Sequence, residues 1–235
     1  YFRNINKLTA PNETCMKKKD NSTAIKTAYN AIFEGIIQRT YLPGYHLREE
    51  VFSEILNISR TPVRQAIRQL AAEGLVDIKE NRRSYVKDVS EENIEIIYDI
   101  LANLESYSVG LVASRITPSQ LDNIKRIQDQ LEGVPAGDEQ NFLALNARFH
   151  DGIHSLSGSR ALQSWLKPIL NYPLLCYLKA GQHTENETAA RDHREIIKAL
   201  ETGDPTYAAL RMRVHIESLR MEYRGLINSQ KTENG

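Results

Sequence analysis

Cysteine and tryptophan are nearly missing from this chain: Cys15, Cys176 and a single Trp are all that 235 residues contain of them. Two isolated cysteines form neither a CxxC pair nor a disulfide framework, which excludes a disulfide-stapled secreted fold and a thiolate zinc ribbon. No run of eighteen apolar residues occurs, so no transmembrane helix is indicated and no membrane role is expected. The N-terminus has no apolar signal core, and its first residue, Tyr1 in place of Met, suggests a trimmed start. A cytoplasmic protein is the resulting expectation. Net charge is also missing: 30 Lys and Arg balance 30 Asp and Glu. A neutral molecule does not coat nucleic acid along its whole surface. Nor is there any strand-like alternation after Val89.

What charge there is lies unevenly. Between Arg60 and Lys87 seven basic residues face three acidic ones, an excess of four. That stretch begins with "ISRTPVRQAIRQLAAEGLV" (58–76), in which Arg60, Arg64 and Arg68 recur every four residues and so share one helical face. Val63, Ala66, Ile67, Leu70 and Ala71 form the opposite, core-facing stripe. Ser59 and Thr61 are suitable N-caps, Pro62 fits the first turn, and Gly74 stops the helix. Before it, Ile25, Tyr29, Ile32, Phe33 and Ile36 give a helix over 23–39, closed by the Pro-Gly turn of "YLPGYHL". A helix over 49–56 follows, and "NIS" makes a tight turn in which Asn57 can take the left-handed conformation.

Two short helices about a tight turn form a helix-turn-helix, whose second helix enters the major groove by its N-terminal end. Two β-runs, 75–79 and 85–89, then flank a polar turn carrying Arg82 and Arg83. The order specifies a winged helix-turn-helix over 23–89, preceded by a flexible arm over 1–22. Arg60 and Arg64 suit the paired acceptors of guanine, and Ser59 and Thr61 suit phosphates. Arg82 and Arg83 serve as wing contacts.

From Ser90 the pattern is helical throughout. Helices are expected from 90, from 117, and over 139–157, 160–181, 186–202 and 205–228, with Pro168 and Pro173 splitting the fourth of these. The fold class is therefore mainly α: a winged helix-turn-helix with a small β-hairpin, then an all-helical bundle of six or seven helices over 90–230.

Four of the six histidines lie at 150, 154, 193 and 215. Asn146, His150 and His154 lie four apart on one helical face. His193 precedes Gly203 by ten residues and His215 follows it by twelve. At roughly 1.5 Å per residue both lie about 15–18 Å from the turn, level with each other in an antiparallel hairpin. If the helix of Asn146 and His150 packs against that hairpin, three imidazoles and a carboxamide converge. Such a set suits one divalent transition metal, zinc by default, with nickel, manganese or iron as alternatives. His154 and His183 read as ordinary hydrogen-bonded histidines. Asp151 and Asp192 adjoin two of the ligands, yet the next helical position lies about 100° round, so both are expected to point elsewhere. That weakens the alternative of a metal-dependent hydrolase, which needs a general base near its metal. A purely structural metal in a dimerisation bundle is the other alternative.

These segments together resemble a known family. "ISRTPVRQAIRQLAAEGLV" with "RRSYV" is similar to the DNA-binding domain of GntR-type bacterial transcription regulators. "IYDILANLESYSVGLVA", "NARFHDGIHSLSGSRAL" and "DHREIIKALETGD…RVHI" resemble the metal-containing FCD ligand domain of the FadR subgroup. The resemblance covers about residues 24–228. It implies a homodimeric regulator, mostly a repressor and not an enzyme, that binds a palindromic operator and responds to a small, often carboxylate, effector. It implies metal ligands at Asn146, His150, His193 and His215, and DNA contacts at Ser59, Arg60, Thr61, Arg64, Arg82 and Arg83. Three positions depart from the family pattern. Asn146 stands where Asp is usual, Leu101 where an effector-holding Arg is usual, and Arg83 or Ser84 where the wing has glycine.

Overall fold

The computed structural model describes residues 13–180 and 186–233. Among them are ten helices and three short strands. The N-terminal half comprises α1 (Glu13–Ile37), β1 (His46–Leu47), α2 (Glu49–Leu56), α3 (Arg60–Ala72), β2 (Val76–Ile78) and β3 (Ser84–Val86). The expected helix-turn-helix is α2 and α3. Asn57 between them is left-handed, at φ 51° and ψ 46°. Ser59 takes the N-cap position, but its hydroxyl makes no capping bond. Pro62, Val63, Ala66, Ile67 and Leu70 are the buried face of α3, which packs mainly on α1. Each fully buried branched side chain there contributes roughly 1.5–3 kcal/mol.

The sheet differs from expectation in extent. The wing strands cover three residues each and are joined by a third strand, β1, giving the antiparallel order β1-β3-β2. His46 pairs with Tyr85, and Asp77 pairs with Tyr85 from the other side. A two-residue strand leaves no alternation to read. At the wing tip the left-handed residue is Arg82 (φ 61°), not Arg83 or Ser84. The Asn81 side chain accepts the Arg83 amide there and shapes the turn without glycine. Helix α1 extends back to Glu13, into the stretch expected as an arm, and residues 1–12 lie outside the described residues.

The helical half holds seven helices: α4 (Glu91–Ala113), α5 (Pro118–Glu132), α6 (Glu139–Ser155), α7 (Arg160–Leu166), α8 (Tyr172–Lys179), α9 (Asn186–Thr202) and α10 (Pro205–Glu233). The 160–181 segment splits into α7 and α8, as its prolines require. Pro168 lies in the break and Pro173 in the first turn of α8, where a missing N–H costs nothing. α5 opens with a full capping box between Thr117 and Gln120. At the hairpin before α10, Asp204 accepts from the amides of Thr206 and Tyr207 at 2.8 and 3.0 Å.

α4 and α10 form the longest seam in the molecule, running antiparallel. Arg224 pairs with Glu95, Arg220 with Asp99, and Arg213 with Asn103 along it. α4 is long and apolar enough to resemble a membrane span, at mean hydropathy 1.2, yet half of that window is buried inside the bundle. A core helix has the same composition.

One continuous core runs from α1 through α10, so the two halves are packed on each other. The turn ending α3 is the tightest junction. Gly74 sits at φ +77°, and a Cβ there would lie 2.0 Å from the carbonyl oxygen of Pro168. Asn171 donates to the Glu73 carbonyl at 2.8 Å, and Gln140 of α6 donates to Glu34 of α1 at 2.7 Å. Lys179 binds Asp88 at 3.1 Å, tying α8 to the chain that leaves the wing.

Candidate metal centre and nucleic-acid interface

The exposed surface of the winged half collects the arginines. Ser59, Arg60, Thr61, Arg64, Arg68, Arg82 and Arg83 are all exposed. A cleft of about 680 Å³ lies between α3 and the wing, with Arg64 and Arg68 on one wall and Arg82 and Arg83 on the other. Two acids from the start of α2 hold the leading arginines. Glu49 accepts from Arg64 Nε and Nη2 at 2.8 and 2.7 Å, and Glu50 lies 3.2 Å from Arg60. These pairs orient the guanidiniums, and being exposed they add little to stability. They lower the net charge of the reading face without burying it. Sequence spacing alone did not point to Glu49 and Glu50.

The helical half buries its polar chemistry. His150 on α6, His193 on α9 and His215 on α10 are each at most 7% exposed. One ring nitrogen from each lies within 4.8 Å of the others. Ring centroids stand 5.1 Å (His150–His193), 5.4 Å (His150–His215) and 5.0 Å (His193–His215) apart, a nearly regular triangle. The antiparallel α9–α10 hairpin does bring His193 and His215 level.

A side-chain oxygen faces Nδ1 of each ring, within hydrogen-bonding distance for two of the three. Glu105 Oε2 is 2.7 Å from His150 Nδ1. Gln128 Oε1 is 3.0 Å from His193 Nδ1. Asp192 Oδ2 faces His215 Nδ1 at 3.6 Å, beyond hydrogen-bonding distance, and both atoms are buried without a hydrogen-bond partner. An acceptor at Nδ1 selects the tautomer with the proton there and turns Nε2 inward as a lone-pair donor. The Nε2 atoms of His193 and His215 are buried with no hydrogen-bond partner. Leaving such an atom unsatisfied costs roughly 1–3 kcal/mol, so the cluster is built for something those lone pairs would bind. Three imidazoles, two of them held through Nδ1, fit a divalent transition metal. Burial holds the His193 imidazolium well below its ordinary pKa, with His215 and His150 adding to the effect. Burial likewise lowers His215. Both are therefore neutral, as a metal ligand must be. Phe149 stacks on His193 at 3.9 Å and fixes that ring further.

Asn146 is half-buried one turn before His150, and both line a single cavity with His215. His154 is an ordinary buried histidine: Nδ1 meets Ser108 at 2.8 Å and Nε2 meets Glu105 at 3.0 Å. His183 lies outside the described residues. Asp192 corrects the sequence expectation. It points away from His193 on its own helix, but α10 packs where it points, so it faces His215. Asp151 is exposed yet also lines the cavity. Leu101 is fully buried on α4.

Sequence reasoning missed Glu105 and Gln128. Glu105 is 1% exposed; burial pushes its carboxyl pKa up, but His150 and His154 together hold it well below the usual carboxylate range. Its signal was a lone acid in the apolar stripe of "ILANLESYSVGLVA". Gln128 had no signal, because its neighbours in "RIQDQLEG" are equally polar.

Comparison with known proteins gives both halves a family. Residues 24–86 match the model for bacterial regulatory proteins of the gntR family, and residues 95–218 match the FCD domain. The chain is 26% identical over 202 residues to a probable D-xylose utilization operon transcriptional repressor of Paenarthrobacter nicotinovorans, covering 85% of this chain and 88% of that one. It is 26% identical over 174 residues to the uncharacterized HTH-type transcriptional regulator YdhC of Bacillus subtilis, covering 72% and 77%. Its fold matches the solved structure of Escherichia coli McbR/YncC at a TM-score of 0.66 and 20% identity, covering 85% and 98%.

Proposed function

This chain belongs to the gntR family of bacterial regulatory proteins, with an FCD domain as its second half, and from that premise we propose how its two sites are used. It is a DNA-binding transcription regulator. Our reading is a cytoplasmic repressor, homodimeric on a palindromic operator, that a small metabolite controls from the histidine cavity. The winged domain, 23–89, reads DNA through Arg60 and Arg64, with Ser59 and Thr61 on phosphates and Arg82 and Arg83 at the wing. The helical domain, 90–230, holds one divalent ion, zinc by preference, on His150, His193 and His215, with Asn146 as a further, neutral ligand. The ion would supply a Lewis-acidic anchor for an oxygen of the effector.

The observation that carries this reading is the triangle of buried imidazoles, two of which line a cavity, in the same chain as an exposed arginine helix. Glu105 is committed to His150 Nδ1, which suits an orienting role better than that of a hydrolase base, and Asp192 faces His215 from α9. The homodimer has its own support. Ile96, Ile100 and Tyr107 on α4, and Leu210, Val214 and Met221 on α10, are 42–67% exposed. Their four- and seven-residue spacings place them in two stripes of the coiled-coil kind. Such stripes flanking the α4–α10 seam fit a second copy of the same pair. That arrangement would carry two winged domains to half-sites roughly 34 Å apart.

The test is metal content by mass spectrometry on untagged protein purified without chelator, followed by re-titration. About one ion per chain is expected. A value near zero that zinc, nickel and manganese all fail to restore would reduce the cluster to polar pocket lining.

A further inference from the structure

The cavity next to the histidines is not walled by the helical half alone. It measures about 470 Å³, within the roughly 300–1,000 Å³ usual for small-molecule sites. Asn146, His150 and His215 stand at one end, while Tyr29, Asn30 and Phe33 of α1 and Glu73 at the end of α3 line it too. We propose that this cavity is a ligand site shared by both halves, which takes a molecule with an oxygen-donor head and a flat ring body and uses α1 to select the ring. The inference rests on the reading of the cavity as an effector site and names the class of effector.

The head is fixed by the chemistry of the histidine end, where oxygen is the donor that a divalent ion on imidazoles would accept. The body is fixed by the walls. Tyr29 and Phe33 lie nearly parallel, 11° apart with centroids at 5.8 Å, and Phe142 and Leu174 also face the space. Flat rings pack on such a wall in offset or edge-on arrangements that chains cannot match. The wall is held from behind. Tyr29 donates its hydroxyl to Glu73 Oε2 at 2.7 Å, and the Glu73 carbonyl is held in turn by Asn171. Glu73 is the C-cap of α3. A ring seated on Tyr29 therefore touches the residue that anchors the end of the recognition helix, and it stabilises the arrangement in which both walls are present. At the rim, Lys167 is exposed and lines the same space.

The test is a fluorescence titration of the full chain with 2-naphthoate, with acetate as the head-only control, in samples whose metal content is measured. Naphthoate is expected to bind at least about tenfold tighter than acetate, the gain from burying its fused rings. Tyr29→Ala is expected to remove that gain and leave acetate binding within about twofold. Asn30→Trp, at an exposed position, fills the cavity mouth without disturbing the core and should do the same. Naphthoate binding no tighter than acetate, absent altogether, or indifferent to both substitutions overturns the proposal. Metal-free protein that still binds naphthoate through Tyr29 and Asn30 supports it and overturns only the metal reading. Metal-loaded protein whose naphthoate binding ignores α1 does the reverse.

Discussion

The winged half keeps its chemistry outside and the helical half keeps it inside. On α3 the guanidiniums are exposed and held by local acids, Glu49 and Glu50, fifteen and ten residues away. In the bundle the imidazoles are buried, and the oxygens behind two of them come from 45 and 65 residues away. A surface that reads DNA gains from charges left in water, since their attraction for phosphate is long-ranged and released counterions drive binding. A metal centre gains from the opposite. Dry, neutral, oriented nitrogens bind an ion strongly because nothing else satisfies them. Substitutions on the exposed face of α3 and at the buried histidines should consequently each act on one function.

The largest effect belongs to the buried site. His193→Ala removes a fully buried imidazole, its stacking on Phe149 and one arm of the triangle. Metal affinity should fall by about 3 kcal/mol or more, roughly 100-fold. Thermal stability in metal-saturated buffer should fall with it, while operator affinity of the folded protein stays nearly constant at the same temperature. Isothermal titration and a melting curve check both halves of that statement. Retained metal affinity would mean that His193 is packing alone.

Next come Arg60→Ala and Arg64→Ala. Each good base contact is worth roughly 1–3 kcal/mol, so specific operator binding should fall about ten- to 100-fold per substitution. The melting temperature should barely move, because exposed pairs such as Arg64–Glu49 contribute at most about 1 kcal/mol. Fluorescence anisotropy at one fixed salt concentration measures the loss. Unchanged affinity in both variants would remove α3 as the reading helix.

Acid separates the halves without any mutation. His193 and His215 are neutral when folded, with pKa values below the ordinary 6.5. Once unfolded they take up protons near that value, so the unfolded state binds more protons below it. Stability is therefore full above pH 6.5 and falls as the pH drops from there towards the folded-state values. Each histidine can contribute up to about 1.4 kcal/mol per pH unit in that window. Denaturant unfolding of metal-free protein at several pH values checks this. His193→Ala should flatten the curve below pH 6.5, the side named by the lowered pKa, and an unflattened curve would contradict the buried neutral state.

This contrast also explains what was legible beforehand. The winged half could be read because its devices are local: a four-residue arginine period, a left-handed Asn57, prolines at helix starts. The histidine triangle was legible through helix rise and one hairpin turn. Its supports were not. Glu105, Gln128 and the outward turn of Asp192 towards α10 depend on which helices touch, and no spacing along the chain encodes that. β1 escaped notice for the same reason, being two residues defined only by a partner nearly forty positions on. The contribution of α1 to the cavity wall is likewise a product of docking, visible only once Gly74 is seen against Pro168.

The smallest expected effect tests whether the wing belongs wholly to the surface class. Arg82 holds a left-handed backbone at the tip, a conformation that costs a non-glycine residue on the order of 1 kcal/mol. Arg82→Gly should thus relieve strain while deleting one cation, and Arg83→Ala should delete a cation with no backbone gain. If both side chains only reach phosphates, each substitution should weaken operator and random DNA alike. Each should also reduce the slope of log affinity against log salt by about 1. Discrimination between operator and random duplex should then stay within about twofold, since phosphate contacts carry no sequence information. A selective loss on the operator would move that arginine into the base-reading set with Arg60 and Arg64. An unchanged salt slope would show that the wing never reaches the duplex, and that the cleft between wing and α3 is entered from the α3 side alone.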